Sequence, residues 1–295
     1  MTVEMLDIEP GEKVIDPACG SGGFLIVALE YVWKKIEQKY GHLPSDVITQ
    51  KKVEVANKFF FGIDKEFDLA KVSKAYMAII GDGRGGIFCA DSLLPPEDWP
   101  STMKNKVKLG TFDVVLTNPP FGAKIPIKDK NILAQYDLGY KWKFDKNAQK
   151  WVKTNTIRKS QVPQVLFIER CLQLLKPGGR MGIVLPDGIL GNKREGYIRE
   201  FIKQNAKILA IVDCPPETFQ PSVPTKTSVV FLQKKKSLEE EDYPIFMAIA
   251  KKCGHNRRGT PIFKILPNGE VVRDDDFPLI AKAYKKFRED HNVCF

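Results

Sequence analysis

The sequence predicts an α/β fold: a doubly wound, mostly parallel sheet whose last strand runs antiparallel. Three observations predict it. Short apolar runs alternate with stretches of helical period along the first 213 residues. Several runs end in a carboxylate or an amide, at Asp16, Asp64, Asp91 and Asn118, as strands do where they meet a ligand-binding edge. The last two runs, 207–213 and 226–233, are joined by a loop alone, Cys214 to Thr225, which is too short for a parallel crossover.

The first strand is Lys13-Val14-Ile15-Asp16, introduced by the turn Pro10-Gly11-Glu12. It runs into Pro17-Ala18-Cys19-Gly20-Ser21-Gly22-Gly23 and a helix over 24–39. Residues 41–57 read as a polar insert of weak helical character. Phe59–Asp64 is the second strand, 65–80 a helix, and Ile87–Asp91 the third strand. Phe112–Thr117 is an apolar strand leading into Asn118-Pro119-Pro120-Phe121. Segment 123–160 has no clean period and reads as a long loop. Helix 164–175, the stop Lys176-Pro177-Gly178-Gly179, strand 180–185 and helix 194–204 precede the last two strands. Beyond a charged connector at 234–242, one strand (244–250) and a helix (278–288) are expected. The expected division is a catalytic domain over 1–235 and an α+β extension over 236–295.

No apolar run approaches the roughly 18–20 residues that span a bilayer, and the N-terminus lacks the pattern of a signal peptide. A cytoplasmic protein is expected. The six cysteines (19, 89, 171, 214, 253 and 294) form no CxxC pair, and no HExxH occurs, so neither a structural nor a catalytic metal is expected. Net charge is +10, and it is local: residues 123–160 hold ten Lys/Arg, from Lys124 to Lys159, against three Asp. That concentration points to a polyanion. The interleaved Tyr136, Tyr140, Trp142, Phe144 and Trp151 suit phosphates and unstacked bases, or else pack locally within a solvated loop.

Asp16, Asp64 and Asp91 each end a strand, at the edge where open α/β sheets bind ligands. The loop Gly20-Ser21-Gly22 lets a ligand approach the backbone closely. Asp64 is placed to receive a ribose diol, and Asp91 to meet an adenine amine; the alternatives are a nucleotide-binding α/β protein of another kind or three solvated loop carboxylates. No Gly-Lys-Ser/Thr follows the loop, which excludes a P-loop. The stronger signal is Asn118-Pro119-Pro120-Phe121, since a specified tetrapeptide arises by chance in a chain this long on the order of once in several hundred cases. An amine conjugated to a ring is a poor nucleophile. The Asn118 side-chain oxygen and the Pro119 carbonyl can bind both its hydrogens and draw its nitrogen toward tetrahedral geometry. The prolines stiffen the corner, and Phe121 offers a face on which a flipped base can stack.

Asp16-Pro17-Ala18-Cys19-Gly20-Ser21-Gly22-Gly23-Phe24 together with Asn118–Phe121 resembles the amino-methyltransferases that modify DNA. Leu175–Arg180, Ile183–Gly188 and Lys226–Phe231 are similar to stretches of the N-6 adenine DNA methylases, the modification subunits of type I restriction–modification systems. The resemblance covers about residues 8–235. It implies a class I S-adenosylmethionine-dependent methyltransferase fold (Rossmann-like) and methylation of the N6 amine of adenine in DNA. It assigns Asp16, Pro17, Ala18, Gly20, Ser21 and Gly22 to the methionine end of the cofactor, Asp64 to the ribose and Asp91 to the adenine. It counts Asn118 among the cofactor-binding residues as well as in the catalytic corner, where cofactor and target base meet. Double-stranded DNA with a flipped adenine and a DNA-specificity subunit are the implied partners, with a restriction subunit as a further candidate. The family also carries a helical N-terminal domain and an aromatic-Thr-Pro segment ahead of the first strand. This chain starts at what matches the end of that region, Val3-Glu4-Met5-Leu6, and is expected to be N-terminally incomplete. Two other readings stay open: a protein glutamine methyltransferase, which shares an Asn-Pro-Pro-aromatic corner, and a binding module that contacts DNA or subunits without turnover.

Overall fold

The computed structural model describes residues 1–81, 83–122, 125–220, 225–237, 242–293 and 295. Lys124 of the basic segment, residues 238–241 of the connector, residues 221–224 of the 214–225 loop and Cys294 lie outside the described residues.

Strands β1 (Val14–Asp16), β2 (Phe60–Asp64), β3 (Ile87–Cys89) and β4 (Phe112–Thr117) form one half of the main sheet. The half is completed by helices Gly23–Tyr40, Ser45–Phe59 and Phe67–Gly81. Each strand is apolar almost throughout because helices cover both faces of the sheet. Outside the main sheet, β5 (Tyr140–Asp145) and β6 (Lys150–Ile157) pair antiparallel. The main sheet continues with β7 (Leu175–Pro186), β8 (Ala206–Asp213), β9 (Thr227–Lys234) and β10 (Phe246–Ile249). A small ribbon, β11 (Phe263–Ile265) with β12 (Val271–Arg273), precedes helix Phe277–Asp290.

The eight strands are ordered β10-β8-β9-β7-β4-β1-β2-β3. All neighbours run parallel except β9, which is antiparallel to both β7 and β8. The expected antiparallel last strand is therefore present, wedged between two strands that precede it. β1 is the switch point, with β2 on one side and β4 on the other, so the carboxyl ends of β1 and β4 flank a natural crevice.

One face of the sheet carries helix Gly23–Tyr40, which buries Leu25, Ala28, Leu29, Val32 and Ile36 at helical spacing. The polar stretch at 41–57 is indeed helical. Its helix lies against the preceding one, with the Trp33 indole N–H donating to the Lys52 carbonyl at 3.1 Å. The opposite face carries helices Pro163–Leu174 and Gly196–Asn205. Residues beyond 235 join the main body: β10 adds to β8, and Tyr284 of the last helix stacks on Phe231 of β9.

Two expectations are corrected. Segment 123–160 is not a long loop: it holds a short helix, Lys130–Ala134, and the β5–β6 ribbon. Tyr140, Trp142 and Phe144 alternate with lysines, which is the period of a strand. The ribbon gains its stability by docking on Tyr197, a residue far along the chain. The β11–β12 ribbon was also unforeseen, although Asn268-Gly269 between its strands is a hairpin turn signal.

Candidate active site

A cavity of about 450 Å³ opens at the carboxyl ends of β1–β4. Of the residues expected there, Pro17, Ala18, Gly20, Asp64, Asp91, Asn118 and Pro120 line it. Asp16, Ser21, Gly22, Pro119 and Phe121 do not: Asp16, Gly22 and Pro119 are buried behind the wall, and Ser21 faces outward.

The loop after β1 is held by hydrogen bonds to β2 and to the segment after β3. The Cys19 N–H donates to the Ile63 carbonyl at 2.9 Å, and the Gly20 N–H to Asp64 Oδ2 at 2.8 Å. The Ser92 hydroxyl donates to the Pro17 carbonyl at 2.7 Å, which ties the loop to the segment after β3. Gly20 has φ +53°, and a Cβ built on it meets no atom within 4 Å, so a side chain there would stand in open space at the cavity wall. Gly22, at φ +90°, caps helix Gly23–Tyr40, and a Cβ there would press on Ser73 Oγ at 2.7 Å. The first glycine leaves room for a ligand. The second leaves room for the neighbouring helix.

The three carboxylates differ in what remains free. Asp64 accepts the Gly20 N–H on one oxygen and the Glu66 N–H on the other, at 2.8 and 2.9 Å, leaving half its acceptor sites for a ligand. Asp91 Oδ1 accepts the Leu93 N–H at 2.9 Å, and Oδ2 makes no hydrogen bond among the described residues. Asp16 is buried, its Oδ1 taking the Ala18 N–H at 3.0 Å. Burial pushes its carboxyl up to about 7, against the lowering effect of that N–H, and the charge of Asp64 adds to the rise. Asp16 therefore shapes the loop from beneath.

At the end of β4 the ladder stops because Pro119 has no N–H to donate. The Asn118 side-chain oxygen is buried and takes no hydrogen bond among the described residues. An unpaired buried acceptor costs roughly 1–3 kcal/mol, so its persistence at a cavity wall marks a place for a donor from outside the chain. A half-turn about χ2 exchanges amide oxygen and nitrogen, which brings either to the cavity. Phe121 is half-buried and packs against the hydrophobic core on the sheet face that carries helix Gly23–Tyr40. The Gly122 N–H donates to Gln164 Oε1 at 3.2 Å, fastening the corner to helix Pro163–Leu174.

Several contributors were not foreseen. Leu69, Ile125, Ile127, Pro163 and Phe167 give the cavity its apolar wall. Beneath them, Arg170 is fully buried and binds Leu94 O, Gln135 Oε1 and the Tyr136 hydroxyl at 3.1, 2.6 and 2.8 Å. Glu169 accepts the N–H groups of Asp137 and Leu138, each at 2.9 Å, while burial raises its carboxyl to about 7. The local clue is a charged pair in the middle of a mostly apolar helix. At the ends of β7, β8 and β9, Lys226 bridges Asp213 (2.8 Å) and Asp187 (3.5 Å), and Ser228 donates to Asp187. These residues form a polar network at the rim of the sheet.

The sequence profile of the N-6 DNA Methylase family matches residues 1–295. The chain is 27% identical over 238 residues to the type I restriction enzyme MjaIX methylase subunit of Methanocaldococcus jannaschii, covering 80% of this chain and 36% of that protein. It is 25% identical over 241 residues to the EcoEI methylase subunit of Escherichia coli, covering 81% and 41%. The chain thus spans about two fifths of the length of these curated relatives. Among solved structures, the EcoKI M protein superposes with a TM-score of 0.55 at 23% identity, over 79% of this chain and 42% of that one. A modification subunit of a type I enzyme from Vibrio vulnificus gives 0.57 at 18%, over 92% and 56%. Both carry the same fold. With a profile match that runs the full length of the sequence, the chain belongs to the N-6 DNA methylase family.

Proposed function

We propose that this chain holds the site at which a methyl group passes from S-adenosylmethionine to the N6 amine of adenine in duplex DNA. The observation that carries the reading is the buried Asn118 oxygen, without a hydrogen bond among the described residues, beside a cavity whose other wall presents Asp64 and Asp91. When bound, S-adenosylmethionine supplies an electrophilic methyl group. The residues present fit that cofactor: two carboxylates with unused acceptor sites suit a ribose diol and an adenine amine, and Gly20 leaves the backbone open.

The chain's own part is to hold and polarise the amine. Asn118 Oδ1 and the Pro119 carbonyl accept its two hydrogens and localise the nitrogen lone pair. They act as prepositioned dipoles, so the corner needs no strong base. Phe121 offers a stacking face when the base is turned out of the duplex, a step that requires release from its present packing. The relatives named as methylase subunits of type I restriction enzymes support DNA as substrate. Their being subunits also supports association with further subunits, which we take to be a DNA-specificity subunit and a restriction subunit in the cytoplasm. No described helix is long and apolar enough to cross a membrane.

Asn118→Ala tests the assignment. Transfer of labelled methyl to DNA is expected to fall by about 10²–10³-fold, the effect of removing one polarising group. Calorimetric affinity for S-adenosylmethionine should stay within about threefold, because Asp64, Asp91 and the loop around Gly20 are untouched. Undiminished transfer would refute the role of Asn118.

A further inference from the structure

The ribbon β5–β6 stands out because its two faces do opposite things. Paired positions across the ribbon put Trp142, Phe144, Trp151 and Lys153 on one face. That face is docked. Trp142 and Trp151 lie against the Tyr197 ring, with centroids 6.4 and 6.2 Å away, and Phe144 meets Trp151 edge-on at 5.7 Å. Gly196 is required there, since a Cβ would come within 2.4 Å of Trp151 Nε1. The Trp142 indole N–H is spent on the Asp137 carbonyl at 3.0 Å, and Lys153 is paired with Asp137. These tryptophans are therefore not available to stack on unpaired bases, which narrows the expectation drawn from their spacing.

The other face carries Lys141, Lys143 and Lys150, all exposed, with Lys146 at the turn. None of the four forms an ion pair among the described residues. Asp145 is the one acid of the ribbon, and its carboxylate is engaged by the Asn147 and Ala148 N–H groups of the turn. The root is rigid. The Arg158 guanidinium donates to the Tyr140 carbonyl and lies 4.4 Å from the Tyr197 ring centroid, and Gln161 binds both Leu138 O and the Tyr197 hydroxyl. Ile127, which lines the cavity, pairs with Gln161 at the same root. Asp145, opposite Lys150 and close to Lys143, offsets part of the repulsion among these cations, and a polyanion would relieve the rest.

We infer that the outward face of the β5–β6 ribbon grips the phosphate backbone of duplex DNA through Lys141, Lys143 and Lys150, beside the cavity that takes the target base. The occupant is fixed by charge complementarity and by the shared root of ribbon and cavity. Contact of this kind positions the duplex and carries no sequence information. The inference rests on the DNA reading above.

The test replaces Lys141, Lys143 and Lys150 together by Gln in the full chain. Binding of a labelled 30-base-pair duplex of random sequence is followed by anisotropy between 50 and 200 mM salt. A matched variant, Lys282→Gln, Lys285→Gln and Lys286→Gln on the exposed side of helix Phe277–Asp290, removes the same charge elsewhere. The ribbon variant should show a slope of log affinity against log salt shallower by about 2.7, so that wild type loses about 40-fold more affinity over that range. The matched variant should follow wild type. Equal slopes for ribbon variant and wild type, or an equal loss in the matched variant, would overturn the ribbon assignment alone. If wild type binds no duplex DNA, the ribbon assignment and the DNA reading both fail.

Discussion

The corner at Asn118 and the ribbon at 140–157 are neighbours in sequence built on opposite physical plans. The corner is a neutral, partly buried group with an unused acceptor, held by proline and by one side-chain hydrogen bond. The ribbon is a set of exposed cations on a frame fixed by aromatic packing. Neutral dipoles act over a few ångströms and are indifferent to salt. Exposed charges reach about 10 Å at 0.1 M ionic strength and are screened beyond that. The pairing suits a protein that first collects a polyanion and then selects one amine on it.

The largest effect expected is at the corner, where Asn118→Ala removes about two to three orders of magnitude in transfer at any salt concentration. The ribbon variant, by contrast, should be nearly silent at low salt with saturating DNA. Changes to the scaffold shared by both regions come next. Arg170→Ala leaves Leu94 O, Gln135 and the Tyr136 hydroxyl without their buried donor and opens a void beneath the ribbon root. The expected loss is about 2–4 kcal/mol of unfolding free energy, read from urea denaturation. An unchanged midpoint would show that the root does not depend on this buried cation.

The smallest effect is on pH dependence. Asp16 and Glu169 each have a carboxyl raised to about 7 by burial. Between the ordinary carboxylate range near 4 and about 7, the folded chain holds protons that the unfolded chain has lost. Stability is therefore greatest below that window and declines as pH rises through it. Asp16→Asn should reduce the decline in urea midpoint between pH 5 and pH 8 without abolishing it, since Glu169 still titrates. A variant with the full wild-type decline would place the raised carboxyl elsewhere.

The parts of the fold that were legible share one cause. β1, β2, β4 and the central parts of β7 and β9 are buried on both faces, so each writes a mostly apolar run, and β1, β2 and β4 lead into Asp16, Asp64 and Asn118. The carboxylates and the amide at those ends are legible for the same reason, because the strand fixes where they stand. The ribbon was hidden because its stabilising partner, Tyr197, is about fifty residues away, and a two-stranded ribbon is marginal without such a partner. The apolar cavity wall was hidden too: nothing local separates Ile125, Ile127 or Phe167 from ordinary core residues. Asp16 reads in sequence like Asp64 and Asp91, yet depth in the structure makes it a support for the loop. Sequence spacing gives position along the sheet edge and says little about depth.

The central claim is tested most directly by the identity of the product. The full chain is incubated with methyl-labelled S-adenosylmethionine and adenine-containing duplex DNA, the DNA is digested to nucleosides, and the label is located by mass. The account predicts label on the N6 nitrogen of adenine in wild type and its loss in Asn118→Ala. Label on cytosine, or no label in DNA from a wild-type chain that binds both cofactor and duplex, would contradict it.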